Sequence, residues 1–234
     1  MKHLFEAVKS LGMELTEEQI RQFEAYRAGV LEWNEKVNLT AITDPEEFEM
    51  KHFADSIMSA GNDIMKNAKK IIDVGTGGGF PGIPLAILFP DKQFTLMDSL
   101  GKRIKIIDQL AKEIGINNVE LIHARAEDLA KKKEYREQYD VCVSRAVANL
   151  ATLSEYCIPF VKIDGYFAPY KTAAADEEIA EGKKALFILG GHLESVSEFS
   201  DAELDHTILW IKKVKMTPVK YPRKAGTPSK EPLK

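Results

Sequence analysis

Between Asp73 and Asp98 the chain sets two carboxylates on either side of a glycine run, Gly75, Gly77, Gly78, Gly79 and Gly82. So many glycines cost chain entropy, and they are retained where backbone must approach a ligand closely. The apolar run Ile71, Ile72 and Val74 enters that turn as a buried strand. Pro81 or Pro84 suits the first turn of the helix that leaves it, and Leu85, Ile87, Leu88 and Phe89 carry the helix to Pro90. A second strand, Phe94 to Met97, delivers Asp98. This order makes half of a nucleotide-binding α/β unit. Two ligand classes use such a unit. Gly77, Gly79 and Gly82 satisfy dinucleotide spacing, with pyrophosphate on the helix N-terminus. Asp73 argues against that ligand, because a carboxylate at the strand end repels a pyrophosphate. It suits S-adenosylmethionine, which carries an ammonium and a sulfonium and no phosphate. Asp98 is placed for ribose hydroxyls in either case.

Methyl transfer requires a nucleophile aimed in line at the methyl carbon, so the residues after the other strands matter. Glu127 or Asp128 follows the third strand and either reaches an adenine amino group or caps a helix. Arg145 closes a strand whose Val141, Cys142 and Val143 read as buried; its partner is a structural carboxylate or an anionic substrate. Cys142 sits mid-strand and Cys157 on a helix, so neither is placed as the nucleophile that methylation of a cytosine carbon needs. The loop Ser144-Arg145-Ala146-Val147 is not the Asn/Asp-Pro-Pro-Tyr/Phe loop of amino methylation. Lys171 is the one well-placed candidate for ribose chemistry. A guanine N7 needs none of these, because its lone pair is free at neutral pH and positioning with charge stabilisation suffices.

Elements must bring these residues together. Residues 1–66 read as an N-terminal helical extension, with a capping box at Thr16-Glu17-Glu18-Gln19 and a helix restarting at Asp44-Pro45; Gly61 to Asn67 reads as a linker. Residues 67–234 alternate strand and helix, with further strands at 119–122, 139–143, 165–169, 193–199 and 207–214. The expected fold is α/β, a doubly wound seven-stranded sheet with ligands beyond the carboxyl ends of its strands. From about residue 212 the chain is a basic tail on an acidic body of net charge −4, either a solvated arm or a nucleic-acid contact. The 234 residues include two cysteines without C-x-x-C spacing and no apolar run long enough for a membrane span. A soluble cytoplasmic monomer without metal is expected.

The chain resembles the bacterial 16S ribosomal RNA guanine-N7 methyltransferase family, also called glucose-inhibited division protein B. The matching stretches are Trp33-Asn34 with Asn38 to Ile42, His52 with Asp55-Ser56, Asp73 to Pro84, Asp98-Ser99 with Lys102-Arg103, Arg125-Ala126-Glu127, Ser144 to Ala148, and Tyr221 to Lys224 with Gly226-Thr227-Pro228. The resemblance implies a class I, Rossmann-like methyltransferase. Its cofactor would be held by Gly75, Gly77, Phe80, Asp98, Ser99, Ala126, Glu127 and Arg145. Asn38, Lys171 and Arg145 would act on the base, with His52 beside them. Lys102, Arg103, Arg125, Arg223 and Lys224 would meet 16S rRNA or the small ribosomal subunit. Ala124, Asp164 and Thr172 stand where the family usually has glycine. A small-molecule methyltransferase and an NAD-dependent oxidoreductase are the rival readings.

Overall fold

The computed structural model describes residues 1–145, 148–172, 175–201 and 204–233. Helices α1 (Lys2–Ser10) and α2 (Glu17–Asn34) come first, then the short helices α3 (Pro45–Phe48) and α4 (Asp55–Ile57), joined by a π-turn at Glu49–Ala54. Beyond α5 (Asp63–Asn67), the order is β1 (Lys70–Val74), α6 (Gly82–Leu88), β2 (Gln93–Asp98), α7 (Gly101–Glu113), β3 (Val119–His123), α8 (Ala126–Leu129) and β4 (Tyr139–Arg145). The chain continues through α9 (Leu150–Cys157), β5 (Val161–Thr172), α10 (Ala175–Leu189), β6 (Gly191–Asp201), β7 (Leu204–Lys213) and α11 (Thr227–Lys230).

Thr16 caps α2 as expected: its side chain accepts from the Gln19 amide at 3.2 Å, and Gln19 Oε1 accepts from the Thr16 amide at 2.9 Å. Asp44 caps α3 in the same way, accepting from the amides of Glu46 and Glu47. The expected linker at 61–67 is mostly helical instead, because Asn62 caps α5 and Met65 is fully buried.

The seven strands form one sheet of order β3-β2-β1-β4-β5-β7-β6. The first five are parallel to one another, and β7 runs antiparallel between β5 and β6. Chain order reverses between β1 and β4, which opens a crevice at their carboxyl ends. Ser144 and Arg145, expected in a loop, belong to β4 and pair with Pro169 and Tyr170. One apolar cluster covers one sheet face and includes Phe23, Tyr26, Phe48 and Phe53 from the N-terminal helices together with Ile71, Leu96 and Ile107. Gly29 lets α2 lie directly on α7, since a Cβ there would stand 2.4 Å from a Leu110 methyl. A second cluster, with Ile72, Leu153, Phe160 and Leu209, fills the other face. No helix among the described residues is long and apolar enough to cross a membrane.

Candidate active site

The turn after β1 is built by Asp73. Its carboxylate is fully buried; Oδ2 accepts from Thr76 Oγ1 at 2.7 Å and from the Gly82 amide at 2.9 Å. Burial raises its pKa to about 7 against those two hydrogen bonds. The carboxylate therefore folds the loop back on the start of α6 and does not face the cavity, which corrects its expected role of facing a cationic ligand. Gly75 and Gly77 take φ of +78° and +58°, a conformation open to glycine and strained for other residues. Gly79, at φ +91°, turns towards α2, where a Cβ would lie 2.1 Å from the Tyr26 hydroxyl; that hydroxyl donates to the Gly78 carbonyl at 2.7 Å. Gly82 packs against Leu96. The loop thus offers Gly75 to Gly78 to the cavity, not the Gly77, Gly79, Gly82 register of a dinucleotide site.

At the end of β2, Asp98 accepts from the Gly77 amide through Oδ2 at 2.9 Å and from the Leu100 amide through Oδ1 at 2.8 Å. A carboxylate has room for further donors, so ribose hydroxyls can still reach it. After β3, Arg125 starts α8 and Glu127 points inward, accepting from the Gly226 amide at 2.9 Å. These parts enclose a cavity of about 660 Å³. All eight residues expected to hold the cofactor line it: Gly75, Gly77, Phe80, Asp98, Ser99, Ala126, Glu127 and Arg145. Arg103 and Arg125 line it too.

Arg145 reaches the same space from β4. Its Nη1 donates to Asp55 Oδ2 at 2.5 Å and to the Lys51 carbonyl at 2.8 Å, and Nη2 lies 3.2 Å from His52 Nδ1. Asp55 is 1 % exposed and also pairs with His206 of β7. His52 stacks on Phe80 with ring centroids 4.3 Å apart and planes 5° from parallel, and the guanidinium carbon of Arg145 lies 5.6 Å from the Phe80 centroid. Burial and the neighbouring guanidinium push the His52 pKa down to about 3. The ring is neutral, with Nδ1 accepting from Arg145 and Nε2 bonded to Thr40 Oγ1 at 2.6 Å.

Several expected residues lie elsewhere. Lys171 does not line the cavity; it donates to the Ala148 carbonyl at 2.8 Å and to Glu178 at 2.9 Å. Asn38 is exposed beside the mouth and accepts from Arg103 through its backbone carbonyl at 3.2 Å. Lys102 and Lys224 are exposed, away from the cavity lining. Arg223 is not a free cation, because its guanidinium forks onto the fully buried Glu155 at 2.7–3.1 Å. Cys142 and Cys157 are buried free thiols. Ala146 and Val147, part of the Ser144-to-Ala148 motif, lie outside the described residues. Sequence reasoning missed Tyr156 and Ser229 in the cavity wall and Asp55 behind Arg145. Only the Asp55-Ser56 match hinted at the last. The glycine positions missing at Ala124 and Asp164 find different answers: Ala124 lines the cavity, and Asp164 adopts φ +65°.

Residues 19–208 match the family model GidB, described as rRNA small subunit methyltransferase G. A ribosomal RNA small subunit methyltransferase G of Clostridium novyi (strain NT) is 51% identical over 229 residues, which span 97% of this chain and 94% of that protein. Among solved structures, a pre-rRNA processing fibrillarin of Methanococcus jannaschii superposes with a TM-score of 0.55 at 18% identity, covering 69% of this chain and 74% of that one. A SAM-dependent O-methyltransferase of Thermotoga maritima gives 0.54 at 17% identity, covering 81% and 72%. At such identities the structures share the fold.

Proposed function

Because this chain belongs to the GidB family of rRNA small subunit methyltransferases, we propose that it transfers the methyl group of S-adenosylmethionine to N7 of a guanine in 16S rRNA. The carrying observation is the cavity itself. It joins an unobstructed glycine backbone, the Asp98 carboxylate and Glu127 on one side with Arg145, clamped by a buried acid, on the other. The volume, the bare Gly75–Gly78 backbone and the paired acids fit this cofactor, which would be held by Gly75, Gly77, Phe80, Asp98, Ser99, Ala126 and Glu127. When bound it supplies an electrophilic methyl carbon on a sulfonium.

The chain's own groups orient and stabilise and do not abstract a proton. His52 has both ring nitrogens engaged and a basicity far below neutral. That suits guanine N7, whose lone pair needs no base. Arg145, its charge balanced by Asp55, presents guanidinium N–H groups at the crevice, where they orient the base by hydrogen bonds. Lys171 acts at one remove, holding Ala148 and Glu178 where the chain leaves β4. Arg103 and Arg125 at the mouth, with Lys102 nearby, meet RNA phosphates, while a base swung out of its stack enters the cavity. The protein acts in the cytoplasm as a monomer, on the small subunit or its rRNA. Incubation with small-subunit rRNA and a tritiated methyl donor, followed by mapping of the label, tests the reading. Label on guanine N7 is expected; label on an exocyclic amine or a ribose would sink it.

A further inference from the structure

The segment after β7 was expected to reach for RNA, yet it lies along the body and is tied down along its length. Arg136 donates to the carbonyls of Thr217 at 2.8 Å and Tyr221 at 2.9 Å. Glu155 of α9 accepts both the Arg223 amide at 2.7 Å and its guanidinium. Glu127 accepts the Gly226 amide. Thr152 donates to the Pro228 carbonyl at 3.2 Å. The same segment supplies Gly226 and Ser229 to the cavity wall, next to Tyr156. Glu127 therefore meets the cavity with one side and the strap with the other. Gly226 holds φ +84°, the bend that aims its amide at Glu127.

We propose that residues 221–231 form a wall of the cofactor site and that Arg223 is a positioning residue for that wall, acting through Glu155, and not a contact to RNA phosphate. The proposal rests on the S-adenosylmethionine reading above and assigns part of that site to the C-terminal strap. Its logic is electrostatic. Glu155 is fully enclosed and its charge is neutralised by the Arg223 fork, so strap and α9 lock as one piece. Where the strap is seated, the Gly226 amide fixes the Glu127 carboxylate for the ligand. Where it is lifted, the cavity loses Gly226 and Ser229 and Glu127 loses its orienting donor.

The test uses the full chain, calorimetric titration with S-adenosylhomocysteine, and the variants R223K, R223Q and E155Q. Lysine keeps the charge but not the planar fork, so a phosphate contact would largely survive R223K and a fork would not. All three variants are expected to weaken cofactor binding by about tenfold, the scale of a lost charge-assisted pair. The salt dependence of RNA binding should stay as in the parent. Parental cofactor affinity in R223K, or a shallower salt slope in R223Q, would overturn the proposal. Because E155Q leaves the Arg223 guanidinium without its carboxylate and can disturb folding, amide exchange on the unaltered protein gives an independent reading. Exchange at 226–230 is expected to slow when S-adenosylhomocysteine is added, and unchanged exchange there would overturn the wall. If the unaltered protein failed to bind S-adenosylhomocysteine at all, the cofactor reading would fall and take the strap with it; failure in the variants alone would remove only the strap.

Discussion

Arg145 concentrates more of the site's geometry than any other side chain described here. It joins β4 to the Lys51 carbonyl, Asp55 and His52. Replacing it by lysine keeps one charge but loses the fork by which Nη1 reaches Asp55 and the Lys51 carbonyl while Nη2 reaches His52. Arg145→Lys is expected to lower kcat by at least about tenfold while circular dichroism stays that of the parent. Retained turnover would remove Arg145 from the reaction. Asp73 makes a different prediction, through linkage. Its pKa in the fold, about 7, lies above the usual 3.8, so the stability associated with its protonated form is full below pH 4 and is lost as pH rises towards 7. Asp73→Asn retains an oxygen for Thr76 and Gly82. The melting temperature of the variant, measured relative to the parent, should therefore climb between pH 4 and pH 8; a constant difference would refute the buried charge. His52 works in the opposite direction. Its depressed pKa leaves stability complete above about pH 6.5 and lost as pH falls towards 3. The residue types at this site were legible, but their orientation was not. Nothing in the spacing of Asp73 says whether its oxygens face a ligand or turn back onto Thr76 and Gly82. The partner of Arg223, Glu155, lies 68 residues away and is just as invisible.

Among elements, α2 has a role that its sequence conceals. Its apolar positions announced a packed helix, and its capping box announced where it begins, because both signals are local. That Tyr26 would donate to the glycine loop could not be read, since the contact joins residues 52 apart. Tyr26→Phe removes that donor and leaves the Gly78 carbonyl buried. A loss of about 1 kcal/mol in stability and a several-fold weaker cofactor affinity are expected from denaturant titration and calorimetry. Gly79→Ala should be far worse, because it meets both a left-handed φ and the Tyr26 hydroxyl 2.1 Å away; a soluble variant with normal cofactor binding would contradict the loop's geometry. The strands were easier. Parallel neighbours buried on both faces appear as short continuous apolar runs, which is how 71–74 and 139–143 were recognised. The ends of β4 and β5 were drawn too short because Arg145 and Lys171 are polar, and pairing continues through them.

At the scale of the whole molecule, one apolar cluster spans both sides of residue 66. The extension and the sheet are therefore expected to melt together. Trp33 reports from the extension and Trp210 from the sheet, so single-tryptophan versions of the chain should give coincident transitions by fluorescence; separated midpoints would show two independent units. The π-turn at Glu49–Ala54 sits at this junction, with the Asp55 amide bonded to the Met50 carbonyl five residues back. Winding of that kind carries one residue more than a regular helix needs, and it is marginal in its own right. Loss of a single codon between positions 49 and 54 would let the backbone relax into ordinary α winding, and Asp55 would keep its side of the axis because the extra residue alone is removed. Such a deletion mutant should keep the Arg145–Asp55 pair and its melting temperature while displacing the Lys51 carbonyl and His52 from the guanidinium, so that methyl transfer alone falls: one surplus residue in a helix would then be what aims the catalytic arginine.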